Sequence, residues 1–231
     1  MTDKKKTNKI DIKTIATLSM LCAAAYAVAA IFTQFPSPFA FSFLRYDPKD
    51  VIILIGGFLY GPLAAISISA VVSLLEMVTV SPEGPFGFLM NFVSTTAIVL
   101  PASLIYSKRK TLDGAIIGLT VGVLSVTAVM ALFNYLIVPI YRGFPRAAVV
   151  PMLLPVFVPF NLFKGIANAV LTILLFKPIT TALLKEKLIE PAIVGERSTG
   201  IKWIFIAIGL IAIIAIFVLF GEFSFPQPSP D

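Results

Sequence analysis

A series of long apolar segments sets the strongest limit on what this chain can fold into. Six are expected at about 14–34, 48–60, 62–80, 88–106, 112–138 and 157–184, and a seventh at about 201–220. About 20 consecutive apolar residues are enough to cross the hydrocarbon core of a bilayer as a helix. Backbone inside lipid must pair its polar groups within the segment, which favours helices. With 58% hydrophobic and 13% charged residues, the sequence predicts an all-α membrane protein.

The positions of the basic residues predict the orientation of these spans. With the N-terminus inside, 13 of the 18 Lys and Arg residues fall in the lead at 1–13, the turn at 108–110 and the region at 177–202. Arg45, Lys49, Arg142 and Arg146 fall in outer loops, the last two in a proline-rich loop expected at 139–156, and Lys164 alone is expected inside the bundle. This distribution follows the positive-inside rule. It predicts a multi-pass protein of the cell membrane with a cytoplasmic N-terminus and, after seven spans, an extracellular C-terminus.

The residue inventory excludes several classes of function. The chain has no histidine and a single cysteine, Cys22, so zinc sites, cysteine–histidine nucleophiles and disulfide frameworks are not expected. No Gly-rich phosphate loop of the Walker type occurs, so ATP hydrolysis would have to come from partners. The net charge of +6 is explained by topology rather than by nucleic-acid binding. The sequence therefore predicts a protein that is not an enzyme and needs no cofactor or metal.

Polar residues inside the predicted spans point to a binding site. Asn161, Lys164 and Asn168 are spaced i, i+3 and i+7, so they share one face of a helix. Such residues are costly in hydrocarbon unless they face a cavity or a partner. In the predicted topology Asn91 and Asn134 reach the same outer third of the membrane. Their donors and acceptors suit a neutral, planar ligand with carbonyls and ring nitrogens. The alternative is that these amides only tie helices together.

Small residues recur on two of the spans. The first carries Ala23, Ala25, Ala27 and Ala29, which would let another helix approach closely. Packing inside the bundle is the alternative explanation for these alanines. The fifth span repeats glycine every fourth residue, at 114, 118 and 122, which predicts a flat packing face. Near the outer end of the third span, Glu76 is expected to be interfacial and solvated, with a place in the polar wall of a cavity as the alternative.

Four segments of the chain resemble the riboflavin-specific substrate-binding subunit, or S-component, of energy-coupling factor (ECF) transporters. They are 44–62 (LRYDPKDVIILIGGFLYGP), 81–91 (SPEGPFGFLMN), 133–146 (FNYLIVPIYRGFPR) and 159–168 (PFNLFKGIAN). The resemblance implies a six-helix transmembrane bundle with an outward-facing vitamin pocket. It also implies that Asn134, Asn161 and Lys164 bond the flavin ring, while the first outer loop at 35–45, near Leu44, covers the ribityl chain. Asn91 and Tyr46 complete the candidate binding residues.

The resemblance also implies partners. Riboflavin would be the transported substrate, with riboflavin phosphate and flavin analogues as further candidate ligands. A transmembrane coupling subunit would dock on the alanine face of the first span, and two ATPase subunits would drive transport. The domain boundaries that we expect are a basic cytoplasmic lead (1–13), a six-span core (14–184), a polar linker (185–200), an additional transmembrane helix (201–220) and a tail (221–231). The family core has no counterpart for the seventh helix.

Two other classes of function remain open at this point. A stand-alone secondary transporter of a small planar substrate predicts inverted repeats and broken helices at the midplane. The sequence shows no internal repeat, and the polar cluster lies near one surface. A membrane-embedded enzyme would need general acid–base or metal chemistry. With no histidine and no paired acids expected inside the spans, few groups could supply it.

Overall fold

The computed structural model describes residues 11–35, 44–143, 145–190 and 200–222. Most of the expected lead, most of the first outer loop, most of the linker and most of the tail lie outside these ranges. In the described parts the chain is helical, with no strand. Its helices are α1 (Ile12–Thr33), α2 (Lys49–Tyr60), α3 (Pro62–Thr79), α4 (Gly84–Lys108), α5 (Leu112–Arg142), α6 (Arg146–Met152), α7 (Val158–Lys185) and α8 (Gly200–Glu222).

Each of the seven apolar segments forms a helix, as predicted. Within the described ranges, five helical stretches are long and apolar enough to cross a membrane: α1, α3, α4, α5 and the continuous stretch Arg146–Lys185. Helix α2 has only 12 residues but is the central element of the bundle, packing against α1, α3, α4 and α7. Its Ile53, Leu54 and Ile55 are fully buried. The all-α membrane bundle expected from the sequence is therefore confirmed.

The glycine repeat on α5 brings that helix against α4. A Cβ atom on Gly118 would lie 2.7 Å from the carbonyl oxygen of Ala102, and one on Gly122 would lie 2.6 Å from that of Ile98. Contacts this short are not tolerated, so only glycine lets the two backbones approach so closely. The predicted flat packing face is confirmed.

The segment predicted as an outer loop at 139–156 is largely helical, so this prediction was wrong. Helix α5 continues to Arg142, and Gly143, with φ of +70°, ends it. After α6, a π-helical turn at Leu153–Phe157 leads into α7 without a break. Two of its prolines fit the helical segment because Pro145 precedes the first turn of α6 and Pro155 lies in the wider π-helical turn, whereas Pro139 and Pro151 lie inside α5 and α6.

This helical segment builds a small apolar core of its own. Val149, Val156 and Phe157 are buried there against Val138 of α5 and Leu44 of the first outer loop. Phe160 at the start of α7 belongs to the same cluster. The cluster thereby fixes the outer ends of α5 and α7 relative to the chain that enters α2.

Helix α8 packs along α7 and touches α5, whereas α1 packs on α2 and α3. Helix α8 approaches α7 closely at Gly209, where a Cβ atom would collide with a methyl group of Val170. Ile206 is buried in the same interface, and Ile204, Ile208 and Ile211 are exposed. Such an exposed apolar surface suits lipid. Helix α8 therefore lies on the periphery of the bundle and leaves the outer face of α1 uncovered.

Candidate binding site

An open cavity lies at the end of the bundle where α3, α5 and α7 meet the loops preceding α2 and α4. It encloses about 1040 Å³ of empty space, including its mouth. All six residues singled out from the sequence line it: Leu44, Tyr46, Asn91, Asn134, Asn161 and Lys164. Phe86, Met90, Met130 and Phe160 supply apolar walls. The cavity thus has the composition of a small-molecule site, with a few polar groups among apolar side chains.

Two asparagines present unused hydrogen-bonding groups in this cavity. Asn134 of α5 is only 4% exposed, yet its side-chain amide makes no hydrogen bond with any described residue. Asn161 of α7 donates through Nδ2 to the carbonyl oxygen of Phe157 at 2.7 Å, which fixes its orientation. Because both side chains line the cavity, these groups are open to it and a ligand can pair with them.

Lys164 brings a cationic donor to the same cavity. It lies one turn after Asn161 on α7 and is 8% exposed. Its Nζ lies 3.4 Å from Oδ2 of Asp50 on α2 and 3.4 Å from Oγ of Ser94 on α4. Both contacts are long, so the ammonium can still donate to a molecule in the cavity.

Asn168, the last residue of the polar stripe, faces away from the cavity and supports its floor. It is fully buried, and its Nδ2 donates to Oδ2 of Asp50 at 3.3 Å. Its Oδ1 accepts a hydrogen bond of 3.0 Å from the hydroxyl of Tyr46, which lines the cavity. Asn168 therefore ties α7 to the loop that enters α2.

The structure corrects the predicted positions of Lys49 and Glu76. Lys49 is fully buried rather than in an outer loop. Glu76 is 3% exposed and lines the cavity, so the alternative prediction for this residue holds. Lys49 Nζ lies 3.0 Å from Oε1 of Glu76 and also pairs with Asp47. The other carboxylate oxygen of Glu76 accepts a hydrogen bond of 3.3 Å from Asn91. Both residues were predicted at the surface because burying a charge is costly. Pairing with opposite charges offsets most of that cost.

Sequence reasoning missed this buried cluster, including Asp50. The expectation of no paired acids inside the bundle was wrong, because the loop before α2, α2 itself and α3 bring three carboxylates together. Burial raises the pKa of Asp47, which lies in that loop. The ammonium groups of Lys49 and Lys164 lower this pKa by more than burial raises it, so the pKa of Asp47 is below its ordinary value. The signal was available in 44–50, where charged residues run directly into an apolar helix.

At the mouth of the cavity, α4 and α5 are joined by two contacts. Arg142 donates to Oε1 of Glu83 at 2.8 Å. The rings of Phe86 and Tyr141 stack with their centroids 6.0 Å apart. The rim between these two helices is therefore aromatic, with one ion pair.

The alanines of α1 divide between two environments. Ala25 and Ala29 are buried in the bundle, with 0% and 1% exposure. Ala23 and Ala27 are exposed on the outer face of α1. A docking role for Ala25 and Ala29 is therefore corrected to internal packing, because neither can be reached by a partner helix. The exposed pair stays available for such contact.

Comparisons with known proteins place the chain in one family. The family model "ECF transporter, substrate-specific component" matches residues 13–176. The riboflavin transporter RibU of Staphylococcus aureus (strain TCH60) is 31% identical over 191 residues, covering 79% of this chain and 98% of that protein. The riboflavin transporter FmnP of Bacillus subtilis (strain 168) is 30% identical over 174 residues, covering 71% and 90%.

A solved structure has the same architecture. It is described as the S component of a bacterial ECF transporter and is 31% identical to this chain. The match has a TM-score of 0.63 and covers 74% of this chain and 97% of the other. The chain belongs to the family of substrate-specific components of ECF transporters.

Proposed function

We propose that this protein is the riboflavin-binding membrane subunit of an ECF-type vitamin uptake transporter. The observation that carries the proposal is the unpaired, nearly buried amide of Asn134 in a cavity shared with Asn161 and Lys164. The similarity to two riboflavin transporters over most of the chain supports the same ligand. Riboflavin is then a transported substrate rather than a cofactor, and the chain binds it without chemical conversion.

The hydrogen-bonding groups match those of the flavin ring. One edge of the isoalloxazine ring presents a carbonyl, an N–H group and a second carbonyl in alternation. Asn134 offers both a donor and an acceptor, Asn161 an acceptor, and Lys164 a cationic donor. Asn91 donates one N–H to Glu76, so its second N–H and its carbonyl oxygen are the groups it can offer to a ribityl hydroxyl. Leu44 and Tyr46 supply the wall beside that chain.

The cavity is proposed to face the outside of the cell. The basic turn at 108–110 lies at the end of the bundle opposite to the cavity, which agrees with a cytoplasmic location for that turn. The N-terminus is then cytoplasmic. With α8 crossing the membrane, the C-terminus is extracellular. Riboflavin, and by the same chemistry riboflavin phosphate or flavin analogues, would enter from the outer side.

Transport is proposed to require a coupling subunit and two ATPase subunits, because the sequence has no nucleotide-binding loop. The exposed side of α1, with Ala23 and Ala27, is the proposed docking surface for the coupling subunit. Helix α8 packs on the α5 and α7 side of the bundle, so it does not cover that surface.

Uptake of labelled riboflavin by cells or proteoliposomes tests this function. Uptake is expected only when the chain is combined with the coupling and ATPase subunits and ATP. Uptake by the chain alone would contradict the proposal and favour a stand-alone secondary transporter.

A further inference from the structure

We propose that Asp50 is the positioning residue of the riboflavin site and acts on the ligand through Lys164. This inference rests on the proposed binding function. Asp50 lies in the first turn of α2, is 1% exposed and does not line the cavity. It therefore cannot touch a ligand there, and any effect on binding must pass through another residue.

The two carboxylate oxygens of Asp50 contact different helices. Oδ1 accepts a hydrogen bond of 2.7 Å from the hydroxyl of Thr95 on α4, which anchors the carboxylate. Oδ2 faces α7, where it lies 3.3 Å from Nδ2 of Asn168 and 3.4 Å from Nζ of Lys164. One buried side chain thus connects three helices and sets the position of the ammonium group of Lys164.

The lysine needs such an anchor. Its side chain has four rotatable bonds, and ordering it on ligand binding costs conformational entropy. A fixed carboxylate behind the ammonium removes part of that cost before the ligand arrives, which is preorganisation. Ser94 supplies the only other described contact to Nζ, and it is a neutral hydroxyl. Asp50 is therefore the charge that holds Lys164 at the cavity wall.

The charges around Lys164 support this assignment. Asp47, Asp50 and Glu76 face two cations, Lys49 and Lys164, among the described residues. Lys49 is paired with Asp47 and Glu76. Among the described residues Asp50 is the carboxylate that forms an ion pair with Lys164, and losing its charge leaves Asp47 as the remaining anion near this ammonium.

A double-mutant cycle tests the inference. Riboflavin affinity is measured by quenching of flavin fluorescence for the wild type, Asp50→Asn, Lys164→Met and the double variant. Asp50→Asn is expected to weaken binding roughly 10- to 100-fold when Lys164 is present, the range of a hydrogen bond to a charged group. In the Lys164→Met background the same change is expected to alter affinity by no more than about twofold.

A spectroscopic measurement separates positioning from general weakening of the fold. The absorption bands of the bound flavin respond to hydrogen bonds at its ring. Asp50→Asn is expected to move these bands in the wild-type background and to leave them unmoved in the Lys164→Met background. Asp113→Asn, at an exposed position in the first turn of α5, is the matched control and is expected to change neither affinity nor spectrum.

If the Asp50→Asn variant does not fold, Thr95→Val provides a second way to test the role of Asp50. It removes the anchor of the carboxylate and should weaken binding only when Lys164 is present. Equal losses in both lysine backgrounds, or wild-type affinity in Asp50→Asn, would overturn the role of Asp50. Absence of riboflavin binding by the wild type is a different result, since it would contradict the proposed function itself.

Discussion

The ammonium nitrogen of Lys49 lies 3.0 Å from Oε1 of Glu76, and both side chains are almost completely buried. Lys49 begins α2 and Glu76 lies in the last turn of α3. The second oxygen of Glu76 accepts a hydrogen bond from Asn91 of α4. Through this pair the floor of the cavity is joined to three helices.

Replacing Lys49 with methionine should destabilise the protein strongly. The change leaves the buried Glu76 and the partly exposed Asp47 without their cation, and loss of one partner from a buried pair typically costs about 3–5 kcal/mol. Thermal unfolding of the purified protein in detergent measures the effect. Lys108→Met, at an exposed position at the end of α4, is the control and should leave the midpoint unchanged. Equal midpoints for both variants would show that the buried cluster does not stabilise the fold.

Asn134→Leu and Asn161→Leu should each weaken riboflavin binding by roughly 1–3 kcal/mol, because each leaves a polar group of the bound flavin unpaired. Titration with flavin-fluorescence quenching measures the affinities. Thr120→Val, at an exposed position on the same helix as Asn134, should bind normally. Unchanged affinity in both asparagine variants would remove them from the site.

Ala23→Trp and Ala27→Trp should block assembly with the coupling subunit while riboflavin binding stays intact, because bulky rings on the exposed side of α1 prevent close helix approach. Co-purification with the coupling subunit measures assembly. Leu124→Trp, at an exposed position on α5, is the matched control. Ala25→Trp should instead lower stability, since that residue is fully buried. Normal assembly of both exposed variants would place the docking surface elsewhere.

Helix α8 should be dispensable for riboflavin binding, because it lies on the periphery of the bundle. A chain that ends at Arg197 should bind with an affinity within about twofold of the full chain. Gly209→Leu tests the same point in the full chain, since its side chain would collide with Val170. Ile208→Ala, on the exposed side of α8, is its control. Loss of binding in a truncated chain that still folds would make α8 part of the support of the site.

The seven long apolar helices and six of the cavity-lining residues could be predicted from the sequence, and the reason is physical. Apolar segments of bilayer length have few alternatives to a helix. Amides and a lysine inside such segments must face a cavity or one another. Asn134, Asn161 and Lys164 were identified for that reason, although the sequence alone could not show that Asn134 lacks a partner in the described structure.

The environments of Lys49, Glu76 and the alanines of α1 could not be predicted in the same way. From hydropathy, a charged residue at the end of a span is expected at the membrane–water interface. In the structure, Lys49 of α2 and Glu76 of α3 pair with each other and both are buried. Small residues on a helix indicate that another helix can approach closely. The spacing of the alanines on α1 does not show whether that helix belongs to the same chain or to a partner. Ala25 and Ala29 face the bundle, and only the tertiary packing separates them from Ala23 and Ala27.

The absorption spectrum of the purified protein tests the central claim most directly. The protein is produced in cells supplied with riboflavin, purified in detergent and compared with Asn134→Leu prepared in the same way. The wild type should be yellow, carry flavin bands at close to one equivalent per chain and quench the fluorescence of added riboflavin, while the variant should retain less flavin. A folded wild-type protein that is colourless and leaves the fluorescence of added riboflavin unchanged would contradict the account.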